Sequence, residues 1–254
     1  MLLAIDIGNS NVVLGIHHED NWRYVWRLPT THSPDASFYY LLEIRNLLLE
    51  GSLTLDDIDR VVLSSVVPDL SPVFYKIMQE LFQFPPIVVG PTIYPLLDLQ
   101  IANPNELGTD LYANALAALK LYRSNCIVVD FGTALTFTIV NKTGQLLGVS
   151  IAPGLKTAVY SLFQKTAQLP EVPLTFPPTA LGKDTIHAIQ SGVLIGYVGL
   201  VKHLLEELRK ELGHDYQAIA TGGLVSILEP LHSEFHAIEP LLTLHGLRII
   251  GEAL

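Results

Sequence analysis

The sequence predicts an α/β protein built in two halves, residues 1–123 and 124–254, each a sheet flanked by helices. Three observations carry this expectation. An acidic-glycine loop occurs twice, as Asp6-Ile7-Gly8-Asn9-Ser10-Asn11 and as Asp130-Phe131-Gly132-Thr133-Ala134-Leu135-Thr136, each time between two apolar runs. The two halves pass through strands and helices in a similar order without visible sequence identity, which is topological repetition rather than a short repeat array. The 254 residues, 49% of them hydrophobic, suffice for two lobes with a substantial core.

The first half opens with strands at Leu2–Ile5, Val12–His17 and Arg23–Arg27, separated by short polar turns. Ser37–Leu49 has the apolar spacing of a helix, through Phe38, Leu41, Leu42, Ile44, Leu48 and Leu49. Arg60–Val67 reads as a buried strand stopped by Pro68. Ser71-Pro72 then starts a helix to about Phe82, with proline in its favoured first turn. Ile87–Val89 is a short strand, and a proline-bearing connection from Pro91 to Pro104 leads to a helix at Thr109–Tyr122. The second half repeats the pattern with strands at Cys126–Val129, Leu135–Val140 and Leu147–Ala152, then a helix over Leu155–Thr166. Pro170–Pro178 holds four prolines and reads as a loop. Thr185–Leu212 reads as a long helix ending at Gly213, Gln217–Ala220 as a strand, Thr221-Gly222-Gly223-Leu224 as a glycine turn, and Pro240–Leu254 as a closing helix. Gly192, Gly196 and Gly199 fall on one side of the long helix and would admit a second helix closely, from within the chain or from a second copy.

Composition excludes several classes. The net charge of −10 argues against non-specific nucleic-acid binding, which needs a basic patch. Cys126 is the only cysteine, so an internal disulfide and a cysteine-based zinc site are out, and its place in an apolar strand suits inert core packing. The nine histidines show no metal-ligand spacing; His17 and His18 are adjacent, and His232 and His236 lack a trusted helical context. The N-terminus starts directly on a strand pattern without a basic leader, so no signal peptide is expected. The most apolar stretch, Thr185–Val201, is interrupted by His187, Gln190, Ser191 and glycines and falls short of a membrane span. The cytoplasm is the expected compartment, with neither nucleic acid nor membrane as partner.

The paired loops point to phosphate chemistry. A strand–turn–strand of this kind exposes backbone N–H groups and short polar side chains on one side, which suits phosphate oxygens. The leading carboxylate suits hydrated Mg²⁺, which takes oxygen ligands and keeps its waters. A single Asp-x-Gly is also an ordinary hairpin turn, and Asn9-Ser10-Asn11 alone reads equally as a polar turn. Neither a Gly-x-x-x-x-Gly-Lys-Ser/Thr loop nor a Gly-x-Gly-x-x-Gly fingerprint occurs as a competitor.

Further motifs accompany the loops: Ser65-Val66-Val67-Pro68, Asn103-Pro104 with Gly108-Thr109-Asp110, Asn114-Ala115-Leu116-Ala117-Ala118, and Ile151-Ala152-Pro153-Gly154-Leu155. Thr166-Ala167-Gln168-Leu169-Pro170, Gly182-Lys183-Asp184-Thr185, Gln190-Ser191-Gly192 and Ala220-Thr221-Gly222-Gly223 complete the series. In this order, over nearly the whole chain, the motifs resemble the type III pantothenate kinases of the acetate-kinase/Hsp70/actin-like superfamily. The resemblance implies two actin-like, ribonuclease-H-like lobes, each a mixed sheet flanked by helices. It implies ATP-dependent phosphorylation of the pantothenate 4′-hydroxyl, the first step towards coenzyme A, with Mg²⁺ and a monovalent cation, K⁺ or NH₄⁺. It also implies a homodimer.

Residue by residue, the resemblance places ATP on Asp6, Ile7, Gly8, Asn9, Ser10, Asn11, Val12 and Val13 and on Thr133 of the second loop. Asp6 would hold Mg²⁺ through water, and Asp130 matches the monovalent-cation ligand. Asp110 matches the proton acceptor, and a carboxylate is what an alcohol kinase needs there; at a helix start it suits a capping role too. The acceptor positions are Ile101, Gly108, Thr109, Asp110, Leu111 and Thr185, the last near a helix N-terminus that favours an anion. Thr221-Gly222-Gly223 matches a turn near the adenosine.

The acceptor half departs from the family pattern. Leu111 stands where the pattern has Arg, and Ile101 where it has Tyr. Gly148-Val149 replaces a pair of glycines, and Thr138 lies where an acid is common. Three readings follow: a pantothenate kinase with rearranged acceptor binding, a kinase of a less acidic small alcohol, or an ATP-binding, catalytically silent accessory or regulatory protein.

Overall fold

β1 (Leu2–Ile7) is buried on both faces, as an uninterrupted apolar run requires of a central strand. In this computed structural model, which describes residues 1–166 and 168–254, β1 pairs antiparallel with β2 (Asn11–His18) and parallel with β4 (Arg60–Ser65). β3 (Asn21–Pro29) flanks β2 antiparallel and β5 (Ile87–Val88) flanks β4 parallel, giving a mixed sheet in the order β3-β2-β1-β4-β5. Ala167, in the motif that starts at Thr166, lies outside the described residues. α1 (Ala36–Glu50) buries Ala36, Tyr40, Ile44 and Leu48, a single row at four-residue spacing, against the same core as α2 (Ser71–Phe82). α2 begins at a proline and stops where Gln83 turns left-handed, at φ 59°. α3 (Thr109–Tyr122) follows the proline-bearing connection.

The second sheet repeats the first strand for strand. β6 (Cys126–Phe131) pairs antiparallel with β7 (Ala134–Val140), and β7 with β8 (Leu146–Pro153). β9 (Gln217–Thr221) lies parallel to β6 and β10 (Ala237–Ile238) parallel to β9, in the order β10-β9-β6-β7-β8. β6 therefore occupies in this sheet the place of β1 in the other. Cys126 is buried, and burial pushes its thiol pKa up, which makes it unreactive. α4 (Leu155–Lys165) follows β8. α5 (Thr185–Gln190), a π-helical turn at Ser191–Ile195 and α6 (Gly196–Leu212) form one continuous helix.

The chain divides into two compact units, Met1–Ala117 with Leu242–Leu254, and Ala118–Leu241, so the division falls inside α3. α7 (Leu242–Ala253) comes last in the chain but packs on β1 and β4, whereas chain order alone groups it with residues 124–254. The cause is local fit. Gly251 leaves room for Leu2 and Val62, the Arg60 guanidinium donates to the Gly251 carbonyl, and Thr243 Oγ1 donates to Asn114 Oδ1 at 2.8 Å.

Two expectations need correction. A Cβ placed at Gly192, Gly196 or Gly199 would meet nothing within 4 Å, so of the two alternatives, close packing from within the chain is not found among the described residues. The helix Thr185–Leu212 runs 28 residues, long and apolar enough to cross a bilayer by length and composition, with 33% of its most apolar window buried. Its later turns are two-faced: Tyr197, Val201 and Leu205 enter the second core, while Lys202, Glu206, Glu207 and Lys210 are exposed. The segment 225–238 holds two 3₁₀ turns and β10, elements too short for periodicity to reveal.

Candidate phosphoryl-transfer site

In the first unit, four residues meet at the ends of parallel strands. Asp6 sits one residue before the end of β1, and the β1–β4 register sets it beside Ser64. Ser64, wholly buried, donates to Asp6 Oδ1 at 3.0 Å. Its oxygen lies 2.9 Å from Thr109 Oγ1, which accepts from the Ser65 N–H at 3.1 Å. Each hydroxyl has one proton, so the bonds run in one direction: Ser65 N–H to Thr109, Thr109 to Ser64, Ser64 to Asp6. Thr109 thus ties the first residue of α3 to the ends of β1 and β4.

Asp110 follows in the first turn of α3. Its Oδ1 accepts the Leu111 N–H at 2.8 Å. Burial raises its pKa above the usual carboxylate range, and the Leu111 and Asp110 N–H groups partly offset this. A carboxylate of raised pKa is better suited to accept a proton than a fully solvated one. Leu111 turns a mainly buried aliphatic side chain into this unit, and Ile101 is half-buried in the preceding connection.

Gly108 is fitted to this carboxylate. A Cβ at position 108 would stand 2.5 Å from Asp110 Oδ1. Gly108→Ala is therefore expected to turn the Asp110 carboxylate and lower kcat by roughly 10–100-fold, the scale of a misplacement near 1 Å. Steady-state kinetics check this, with the KM for ATP expected to stay within about twofold of wild type.

The first loop is braced from behind. The Gly8 N–H donates to the Asn11 carbonyl at 2.9 Å, and Thr30 donates through Oγ1 to the Gly8 carbonyl at 2.7 Å and through its N–H to the Ser10 carbonyl at 3.1 Å. Asn9 and Ser10 are exposed and Asn11 half-exposed. Ile7 and Val12 are core side chains, so they can offer a nucleotide only their backbone groups; Val13 is partly buried.

In the second unit Asp130 repeats the Asp6 arrangement, because the β6–β9 register sets it beside Thr221, another buried hydroxyl. Gly222 turns at φ +93°, and a Cβ there would lie 2.6 Å from Asp130 Oδ1 and 2.7 Å from the Phe131 backbone. Both the turn and the close approach require glycine. The Thr133 carbonyl accepts from the Gly154 N–H at 3.0 Å and from Thr157 Oγ1 at 2.8 Å, which pins the second loop to the start of α4. Thr185 is exposed at the start of α5, where Asp184 caps the helix by accepting the His187 N–H at 2.8 Å. A cavity of about 660 Å³ opens there, with Lys183, Asp184 and Thr185 among its polar lining and Leu162 and Ile189 among its apolar lining. Thr138 is buried and pairs with Val149 across β7 and β8.

The structure thus groups Asp6, Gly108, Thr109, Asp110 and Leu111 in the first unit, and Asp130, Thr133 and Gly222 in the second. Sequence reasoning missed Ser64 and, although it named Thr221 in the turn near the adenosine, missed that Thr221 stands beside Asp130. The repeated hydroxyl on the neighbouring parallel strand was their only signal.

No group of three or more His, Cys, Asp or Glu side chains that could hold a metal ion occurs among the described residues. The oxygen donors at Asp6 fit Mg²⁺ bound by one carboxylate with water and phosphate completing the shell.

A family model described as type III pantothenate kinase matches residues 2–207. A type III pantothenate kinase of Geobacter sp. strain M21 is 40% identical over 252 residues, covering 99% of both chains. One from Geotalea uraniireducens is 41% identical over 252 residues, covering 98% of this chain and 97% of that one. Among solved structures, the activator of 2-hydroxyisocaproyl-CoA dehydratase from Clostridium difficile, with bound ADPNP, superposes with a TM-score of 0.55 at 11% identity. It covers 99% of this chain and 95% of that one, a likeness of fold alone. The two mixed sheets of like order are the actin-like fold expected from the motifs. With that fold, the match across most of the chain and relatives alike from end to end, the chain belongs to the type III pantothenate kinase family.

Proposed function

We propose that this chain transfers the γ-phosphoryl group of ATP to the 4′-hydroxyl of pantothenate, giving 4′-phosphopantothenate and ADP at the entry to coenzyme A synthesis. Family membership supports the reaction. The observation that carries it to particular atoms is the partly buried carboxylate of Asp110, set at the head of α3 by the Thr109–Ser64–Asp6 hydroxyl chain. The acceptor oxygen bonds to the γ-phosphorus, its proton passes to Asp110, and the β–γ bridging P–O bond breaks with ADP as leaving group. Asp6 would hold Mg²⁺ through water; the ion's contribution is to neutralise charge on the phosphates. Asn9, Ser10, Asn11 and the backbone of the first loop donate to phosphate oxygens, Thr133 contacts ATP, and Asp130 holds a monovalent cation, K⁺ or NH₄⁺.

The acceptor contacts are Ile101, Gly108, Thr109, Leu111 and Thr185. An arginine at position 111 could grip a carboxylate with two bonds; Leu111 cannot, and one lost charge-assisted bond costs about 1.5–3 kcal/mol. Lys183 lines the same cavity as Thr185; Lys156 and Lys183 are the two candidates for the missing cation. We place the protein in the cytoplasm as a homodimer.

ADP release measured with MgATP in K⁺, NH₄⁺ or Na⁺, with pantothenate or neutral small alcohols as acceptor, tests this reading. Pantothenate-dependent turnover that needs K⁺ or NH₄⁺ is expected. Turnover only with a neutral alcohol selects a different acceptor, as Leu111 and Ile101 would favour. ATP binding without transfer to any acceptor selects a silent accessory protein.

A further inference from the structure

Where α7 meets the β2–β3 hairpin, one indole lies between two imidazoles. The β2–β3 register slips after Ile16, so that Ile16 stands opposite Tyr24 and His17 opposite Trp22. A Cβ at Gly15 would lie 2.6 Å from the Trp22 ring and 2.9 Å from Leu244 of α7, so the missing side chain lets both settle on β2. The Trp22 ring meets His17 edge-on with centroids 5.0 Å apart, and His245 of α7 in the same way at 5.7 Å. Trp22 Nε1 donates to His245 Nδ1 at 3.3 Å. His17 is buried, at 6% exposure.

An indole N–H only donates. The His245 Nδ1 that accepts it therefore carries no proton, and the ring is neutral with its proton on Nε2. An imidazolium has N–H on both nitrogens, so protonation of His245 sets N–H against N–H and breaks the bond. His17 resists a proton as well. The charged and titratable groups facing it are Arg248, Glu252 and His245 on α7 and Asp20 in the β2–β3 turn. Arg248 Nη1 holds both carboxylate oxygens of Glu252, at 2.8 and 2.9 Å, while the buried Arg248 Nε has no partner among the described residues. Burial first, then the Arg248 guanidinium, hold the His17 pKa below its ordinary value; His245 adds to this, and Glu252 and Asp20 oppose it.

We propose that His17, Trp22 and His245 form a proton-sensitive latch that holds α7 on the β2–β3 hairpin, closed while both imidazoles are neutral and opened when they are protonated. Once released, the histidines protonate at an ordinary pKa; latched, they do so only at a lower one. Latching is therefore at full strength above about pH 6.5 and weakens as the pH falls below it. Gly246, next in the chain to His245, abuts the Ala113 backbone of α3, so the latch also secures the contact by which α7 braces α3.

Two readouts follow the latch without using turnover. Trp26→Phe leaves Trp22 as the sole tryptophan, and an imidazolium quenches a neighbouring indole more strongly than a neutral imidazole does. Between about pH 7.5 and about pH 5.5 the Trp22 emission should fall, with its midpoint below the ordinary histidine value. Over the same range the hydrogen-exchange protection of α7 amides, corrected for the intrinsic rate, should drop roughly 10-fold, the ratio carried by a one-unit pKa shift. His17→Phe keeps a ring edge against Trp22, and His245→Asn keeps an acceptor where Nδ1 stands; neither replacement titrates. The double variant should hold both emission and protection level. Each single variant should remove part of both responses, so the test stands if the double variant does not fold. Emission or α7 protection that ignores pH in the parent protein, or that changes equally in parent and variants, overturns the latch.

Discussion

Asp110→Asn is expected to lower kcat by about 10²–10⁴-fold, the range contributed by a positioned general base. The substitution is nearly isosteric, and the amide oxygen can still accept the Leu111 N–H that Asp110 Oδ1 accepts at 2.8 Å. The head of α3 stays tied through Thr109 to Ser64, so the fold and the Asp6 loop should be unaffected. What disappears is the capacity to take a proton. ATP binding, followed by fluorescence of a nucleotide analogue or by calorimetry, should stay within about threefold of wild type, because binding and the chemical step are separable in mutant kinetics. If Asp110 were only a helix cap, Asn would replace it at little cost, since Asn caps about as well as Asp. A kcat near wild type would therefore assign Asp110 to capping.

Gly246→Ala is expected to be the most damaging small substitution outside the site. A Cβ at 246 would run into the backbone carbonyl of Ala113 on α3. Backbone cannot swing aside as a side chain can, so α7 must move off α3 or α3 must shift. Overpacking typically costs 1–3 kcal/mol, and a backbone clash sits at the upper end, about 3 kcal/mol. For a chain of this size that is a melting-temperature loss of roughly 6–12 °C, measured by circular dichroism. Because Thr109 and Asp110 lie one turn before Ala113 on α3, kcat should fall as well. An unchanged melting temperature would mean that α7 does not pack where the structure puts it.

The elements were more legible than their partners. Leu2–Ile5 and Cys126–Val129 read as strands because unbroken apolar runs bounded by acidic turns have few other readings, and both are central strands. The pairing of Asp6 with Ser64, or of Asp130 with Thr221, could not be read, because register is decided between segments far apart in sequence. The same limit hid the Trp22–His245 contact, which joins the β2–β3 hairpin to α7. α7 was recognised as a helix from its apolar spacing, yet that spacing does not say which sheet it covers; the close approach at Gly246 and Gly251 does. The glycine stripe at 192, 196 and 199 shows the opposite case, a spacing that permits contact with none of the described residues within 4 Å of it. Thr109 was named as an acceptor position, and its tie to Ser64 emerged only from the structure.

The central claim is that this chain moves phosphate from ATP to pantothenate. Phosphorus NMR and mass spectrometry of wild-type enzyme incubated with MgATP, K⁺ and pantothenate test it most directly. The account requires ADP and 4′-phosphopantothenate to form in equal amounts, with phosphate on the 4′-oxygen. Bound nucleotide and intact ATP after prolonged incubation, or ADP and free phosphate with pantothenate unchanged, would contradict it.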